Sequence, residues 1–221
     1  MADFSHTEGT ALQLDQLIER YPFLSVCSQQ IVDAYELLKN CYTNKGKLLL
    51  AGNGGSASDS NHIVGELMKG FLLKRPLDAS QKALFRTISD GQHLANHLQQ
   101  PLPAITLTEQ SSLITAIAND ISPDLIFAQQ VYGYGHPGDI FWGLSTSGNS
   151  RNIVLAAKTA KICGLKTISI TGEKPSMLSD LSDVCIQVPF TSTPQIQEAT
   201  LPIYHALCSM LEANFFTKEE M

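Results

Sequence analysis

The chain has 221 residues, 43% hydrophobic and 16% charged, with 15 Gly and 10 Pro. That composition is globular; it excludes a disordered, collagen-like or coiled-coil chain and suits one substantial domain. Fifteen Lys and Arg stand against 21 Asp and Glu, a net charge of -6 with no dense basic run, so capture of a nucleic-acid backbone is not the main activity.

Leu12, Leu14, Leu17, Ile18 and Tyr21 fall on one stripe before Pro22, and Ile31, Ala34, Tyr35, Leu38, Cys41 and Tyr42 recur at helical spacing up to Gly46. Two N-terminal helices are expected over 1–46, the second closed by Gly46 as its C′ glycine. Short apolar runs then alternate with helical stretches. The runs are Lys47–Ala51, Pro103–Leu107, Asp139–Leu144, Lys166–Ile170 and Val184–Val188. Helices are expected over 57–73, 111–132 with a break near Pro123, 149–163 and 195–216. Apolar strands bounded by Gly or Ser turns predict an α/β fold over 47–216: a three-layer sandwich with a five-stranded parallel sheet, in one domain spanning 1–221. Between 72 and 103 the connection is long enough to hold one or two inserted helices, a place for a lid or a subunit contact.

The first residues, Met-Ala-Asp-Phe-Ser-His-Thr-Glu, have neither a basic nor an apolar region, and no run nears the roughly 18 apolar residues of a membrane span. No leader is expected. Five widely spaced cysteines without a Cys-x-x-Cys pair read as reduced, mostly buried thiols, and the expected location is cytoplasmic.

Two turns carry the chemistry. Gly52-Asn53-Gly54-Gly55-Ser56 follows the first strand, and Ser145-Thr146-Ser147-Gly148-Asn149-Ser150 follows the third. The first could pass for a dinucleotide fingerprint, but no acidic residue ends a second strand about 20 residues later. The second clusters hydroxyls where a helix begins, which suits phosphate oxygens. Lacking the Gly-Lys-Ser/Thr ending of a nucleotide loop, it points to a phosphate monoester. His62 and Glu66 share a face of the helix leaving the first turn. Gln197 and His205 lie on the last helix, and imidazole, carboxylate and, more weakly, amide oxygen are donors for zinc or a similar ion.

With Asn119-Asp120, Gly138-Asp139, Thr171-Gly172 and Ile196-Gln197-Glu198, these motifs in this order resemble the SIS (sugar isomerase) domain family, over about Lys47 to Leu211. Within it they are most similar to the branch that isomerises sedoheptulose 7-phosphate to D-glycero-D-manno-heptose 7-phosphate. The resemblance implies a homotetramer and a metal held by His62, Glu66, Gln197 and His205. It also implies that Glu66 and His205 are the acid/base pair for aldose–ketose isomerisation through an enediol(ate). Ser145, Thr146, Ser147 and Ser150 would then hold the phosphate; Asn53, Gly54, Gly55, Ser56, Asn119, Asp120 and Gln197 would line the substrate.

Eight residues of helix rise about 12 Å, which separates Gln197 from His205. Pro202 bends the helix, the helix starts after Gln197, or the two residues serve from different copies of the chain; the last is favoured here. Three departures from the family pattern bear on the sugar: Gly70 stands where Arg is usual, Pro194 replaces a usually acidic residue, and the 72–103 segment is long. Two alternatives stay open. One is isomerisation of another phosphosugar. The other is a non-catalytic role like that of the branch that binds the replication initiator, which lacks the residues matching Glu66 and His205.

Overall fold

A computed structural model describes residues 4–216, so 1–3 and 217–221 of the expected domain lie outside the described residues. In chain order the elements are α1 (Phe4–Arg20), α2 (Ser28–Thr43), β1 (Leu48–Ala51), α3 (Gly55–Met68), α4 (Ala79–Ala83), α5 (Gly91–His97), β2 (Ala104–Thr106), α6 (Ser111–Asp120) and α7 (Ala128–Tyr134). Then follow β3 (Ile140–Leu144), α8 (Arg151–Ile162), β4 (Lys166–Thr171), α9 (Met177–Leu181), β5 (Val184–Gln187) and α10 (Thr193–Phe215).

All five strands are parallel, in the order β2-β1-β3-β4-β5. Alternate side chains leave opposite faces of a strand, and the core divides accordingly. Leu48, Leu50, Ile140 and Trp142 pack with α1, α2, α3 and α10. Leu49, Ala51 and Phe141 pack on the other face with Phe127, Val131, Ile153, Ala157 and Leu178 of the α7, α8 and α9 side. Both faces are covered, which is why β1 and β3 read as unbroken apolar runs. The expected three-layer α/β sandwich with a five-stranded parallel sheet is what forms, and the 72–103 segment holds two short helices, α4 and α5.

Three details differ from the sequence expectation. Gly46 is not the left-handed residue after α2; Lys45 is, at φ 61°. Gly46 is needed for space instead, since a Cβ there would lie 2.7 Å from both Cys41 Sγ and the Gly138 carbonyl. The third helix ends at Met68 rather than 73 because Lys69 is extended and the chain turns sharply at Gly70. The last helix starts at Thr193 and runs unbroken through Pro202, so it does not begin after Gln197. Pro194 sits in its first turn, where a missing N–H costs nothing.

Candidate active site

Strand order reverses between β1 and β3: β2 lies to one side and β4 and β5 to the other. Ligands of open α/β sheets bind at such a reversal, outside the carboxyl ends of the strands. Both marked turns leave the sheet there. They are tied together by a reciprocal amide pair: Asn53 Nδ2 donates to Asn152 Oδ1 and Asn152 Nδ2 to Asn53 Oδ1, each at 2.9 Å. Gly54, the N-cap of α3, sits at φ 57°, a conformation that glycine adopts without strain.

The second turn is braced from behind. Ser145 is buried and its hydroxyl donates to Ser150 Oγ at 3.1 Å. The Asn149 amide N–H bonds Ser147 Oγ at 3.2 Å, and the Gly172 N–H bonds the Thr146 carbonyl at 3.0 Å. Asn149 Oδ1 accepts from the Met177 N–H and the Gly148 carbonyl from the Leu178 N–H, each at 3.0 Å, so α9 backs the loop. Ser150 is the N-cap of α8. The N-terminal end of α8 and a ring of hydroxyls therefore face the same edge as the start of α3. The neighbouring cation, Arg151, is engaged elsewhere, with Asp124 at 2.6 Å. An anion here would be held by N–H and O–H groups, not by a side-chain charge.

Further along α3, His62 Nε2 lies 3.0 Å from Glu66 Oε1. Lys69 Nζ lies 3.2 Å from the other Glu66 oxygen. The His205 ring meets His62 edge-on with centroids 5.0 Å apart, and Phe71 covers another side of it at 5.4 Å. Burial, helped by His62 and opposed by Glu66, pushes His205 below the ordinary histidine value. A neutral imidazole of this kind carries an N–H donor on one nitrogen and an acceptor lone pair on the other, so it can take a proton from one oxygen as it gives its own to a second, with no net charge. His205 also opens onto a cleft of about 440 Å³ walled by Gln13, Arg20, Tyr21, Phe71 and Leu201.

Sequence reasoning missed three residues. Tyr204 Oη lies 2.9 Å from His62 Nδ1 and 3.3 Å from Asp59 Oδ1, and Asn152 bridges the turns as described. Asp59 was signalled only by lying one helical turn before His62; nothing in the spacing marked Tyr204. Burial raises the Asp59 carboxyl above its usual range.

His62, Glu66 and His205 therefore come together within one chain, whereas Gln197 does not join them. It lies at the other end of the α3–α10 contact, where a Cβ on Gly55 would stand 2.6 Å from its Nε2. Asn119 and Asp120 are exposed at the end of α6 and bond each other at 2.7 Å, with no hydrogen bond to either turn. Asp124, four residues on, pairs with Arg151 at the start of α8. Zinc suits the donors present. His205 Nε2 is buried without a hydrogen-bond partner, and His62 has its second nitrogen against Tyr204, as ligating histidines commonly do. No three His, Cys, Asp or Glu among the described residues close a shell around one point. Burial pushes Cys27 up to about 11 and Cys41 up to about 12, so neither is a nucleophile candidate.

A family model for the SIS domain matches residues 91–172. "Phosphoheptose isomerase 2" of Campylobacter jejuni is 40% identical over 183 residues, 83% of this chain and 79% of that protein. The phosphoheptose isomerase of Aneurinibacillus thermoaerophilus is 34% identical over 96% of this chain and 93% of its own length. The chain belongs to the phosphoheptose isomerase family. Among solved structures, the phosphoheptose isomerase of Neisseria gonorrhoeae superposes with a TM-score of 0.70 at 30% identity, covering 93% of this chain and 98% of that one. The two switch-point turns thus belong to a phosphoheptose isomerase fold, and the His62–Glu66–His205 cluster stands further along α3, against α10.

Proposed function

We propose that the chain is an aldose–ketose isomerase that converts sedoheptulose 7-phosphate to D-glycero-D-manno-heptose 7-phosphate through an enediol(ate). The observation that carries the reading is the meeting of Glu66 and His205, from distant parts of the chain, around His62. Glu66 takes the proton alpha to the carbonyl and returns it to the adjacent carbon. His205, held neutral by its surroundings, exchanges the proton between the two oxygens. His62 and Lys69 each hold one oxygen of the Glu66 carboxylate, and Tyr204 fixes the His62 ring. Ser145, Thr146, Ser147 and Ser150 with the first amides of α8 take the phosphate. Asn53, Gly54, Gly55, Ser56, Asn119, Asp120 and Gln197 line the sugar.

Zinc is the proposed cofactor, with His62, Glu66 and His205 as donors and Gln197 supplied by a second copy of the chain; within one chain those three donors do not close a shell, and assembly with the second copy would complete it. Bound there, the ion would polarise the carbonyl and the neighbouring hydroxyl. A second copy is also favoured by reach. Glu66 is eleven residues past Gly55, about 16 Å of helix, whereas the carbonyl-to-phosphate arm of a heptose phosphate spans about 10 Å from ordinary bond lengths. The phosphate turn of one copy and the acid/base pair of another then form one site, in a homotetramer. The proposed location is the cytoplasm; no helix among the described residues is long and apolar enough to cross a membrane.

The test is Glu66→Gln, assayed by NMR for isomerisation and for solvent deuterium entering the carbon next to the carbonyl. Turnover and exchange should fall by orders of magnitude while sedoheptulose 7-phosphate still binds. Unchanged turnover would refute the assignment. Exchange with other ketose phosphates but not this one would move the substrate, not the chemistry.

A further inference from the structure

Beneath the proposed acid/base pair lies a buried ion pair that the reaction itself does not use. Arg75 and Glu212 are each 1% exposed, and Arg75 Nε donates to Glu212 Oε1 at 2.8 Å. The rest of the guanidinium closes the end of α3: Nη1 donates to the Leu67 carbonyl at 2.8 Å and Nη2 to the Glu66 carbonyl at 3.2 Å. Carbonyls of a last helical turn lack partners of their own, and a cation there also meets the negative end of the helix. Glu212 takes the N–H groups of Phe71, Leu72 and Leu73 at 2.8, 2.6 and 2.9 Å. It stands seven residues, two turns, beyond His205 on α10, and Phe71, whose amide it holds, lays its ring against His205.

Buried ion pairs contribute little net stability when compared with apolar replacements, because desolvation offsets their attraction. This pair is therefore poorly explained as a fastener. Its hydrogen bonds end on the backbone of Glu66 and on the segment that carries Phe71, so it links the two helices bearing the acid and the base. We infer that Arg75 and Glu212 are a positioning pair that sets the Glu66 carboxylate and the His205 imidazole relative to each other. The inference rests on the reading of those two residues as the acid/base pair.

Arg75→Lys keeps the charge but not the fork, and Glu212→Gln keeps an acceptor but not the charge. In folded protein each should lower kcat roughly 10- to 100-fold, the usual effect of an ångström-scale misplacement. KM for sedoheptulose 7-phosphate should stay within about threefold, since the phosphate turn is untouched. Imidazole signals of 15N-histidine-labelled protein supply a readout independent of turnover: those of His62 and His205 should move, and those of His93, His97 and His136 should stay. Phe71→Leu leaves the ion pair whole and removes only the ring against His205; it should lower kcat about tenfold and move the His205 signal, and it serves if the charge variants do not fold. Unmoved signals with unchanged kcat overturn the inference. So does a kcat loss that only tracks the unfolded fraction. If the wild-type protein does not isomerise the sugar, the acid/base reading fails by itself, and the histidine signals alone decide whether the pair positions the two rings.

Discussion

Gly148→Ala separates the phosphate turn from the rest of the fold. Gly148 sits at φ 63°, where an L-residue is disfavoured by about 1–2 kcal/mol. A Cβ there would overlap Ser176 Oγ and stand 2.5 Å from Ser176 Cβ, so rotating the serine cannot relieve it. Ser176 is the N-cap of α9, accepting from the Ser179 N–H in a capping box. Pushing it away forfeits a cap worth about 1 kcal/mol. The expected cost is about 3 kcal/mol, read as a lower urea midpoint at fixed protein concentration. Because α9 backs the loop through Leu178 and Met177, KM should rise about tenfold or more while kcat changes less. Adding Ser176→Gly removes the overlap and, glycine being a tolerable cap, should recover about half of the lost stability. A single variant within about 0.5 kcal/mol of wild type would refute the reasoning. So would a double variant no more stable than the single.

Mixing two inactive proteins tests the shared site: Glu66→Gln and Ser145→Ala/Ser150→Ala, unfolded and refolded together, should regain about a quarter of wild-type sites by random pairing, and no recovery would return the whole site to one chain. Chelation should abolish isomerisation and added Zn²⁺ should restore it; turnover indifferent to chelator removes the ion from the mechanism. Burial holds the His205 imidazole below its ordinary value, so the unfolded chain takes up the proton first as the pH falls. Metal-free protein should be most stable above about pH 6.5 and lose stability as the pH drops from there towards the lower folded value. His205→Asn should flatten that part of the urea-midpoint profile; an unchanged slope would assign it elsewhere.

The sheet was legible because its strands are buried on both faces and bounded by turns that glycine and serine announce, and the two loaded turns fell at the strand reversal as such turns do. The His62–Glu66 contact followed from helical spacing alone. What joined His205 to them did not: α3 and α10 run side by side, and no local pattern registers one helix against another 130 residues away. Tyr204 and Glu212 were invisible for the same reason, each reading as one more residue of a long helix. The end of α3 was misjudged because Leu72 and Leu73 continue an apolar pattern that the backbone abandons at Lys69. Past that point the freed Glu66 and Leu67 carbonyls are taken by the Arg75 guanidinium, a contact that no helical spacing announces.

That turn also joins two departures from the family pattern that look independent in the sequence. Any side chain at position 70 would overlap the Leu73 carbonyl, and its Cβ would come within 2.7 Å of Gln99 Oε1. Gln99 closes the 72–103 segment and accepts from the Gly70 and Arg75 N–H groups at 2.9 and 3.3 Å, beside the Pro76–Gln99 bridge. The long segment is thus anchored through the space that a larger residue at 70 would fill. An arginine there could not be restored by substitution alone; the turn and the segment would have to change with it. Meanwhile Lys69, one residue earlier, brings its ammonium to Glu66 Oε2. The cation at this corner faces the Glu66 carboxylate, the proposed base, so the positive charge that a residue at 70 cannot bring is supplied here from position 69.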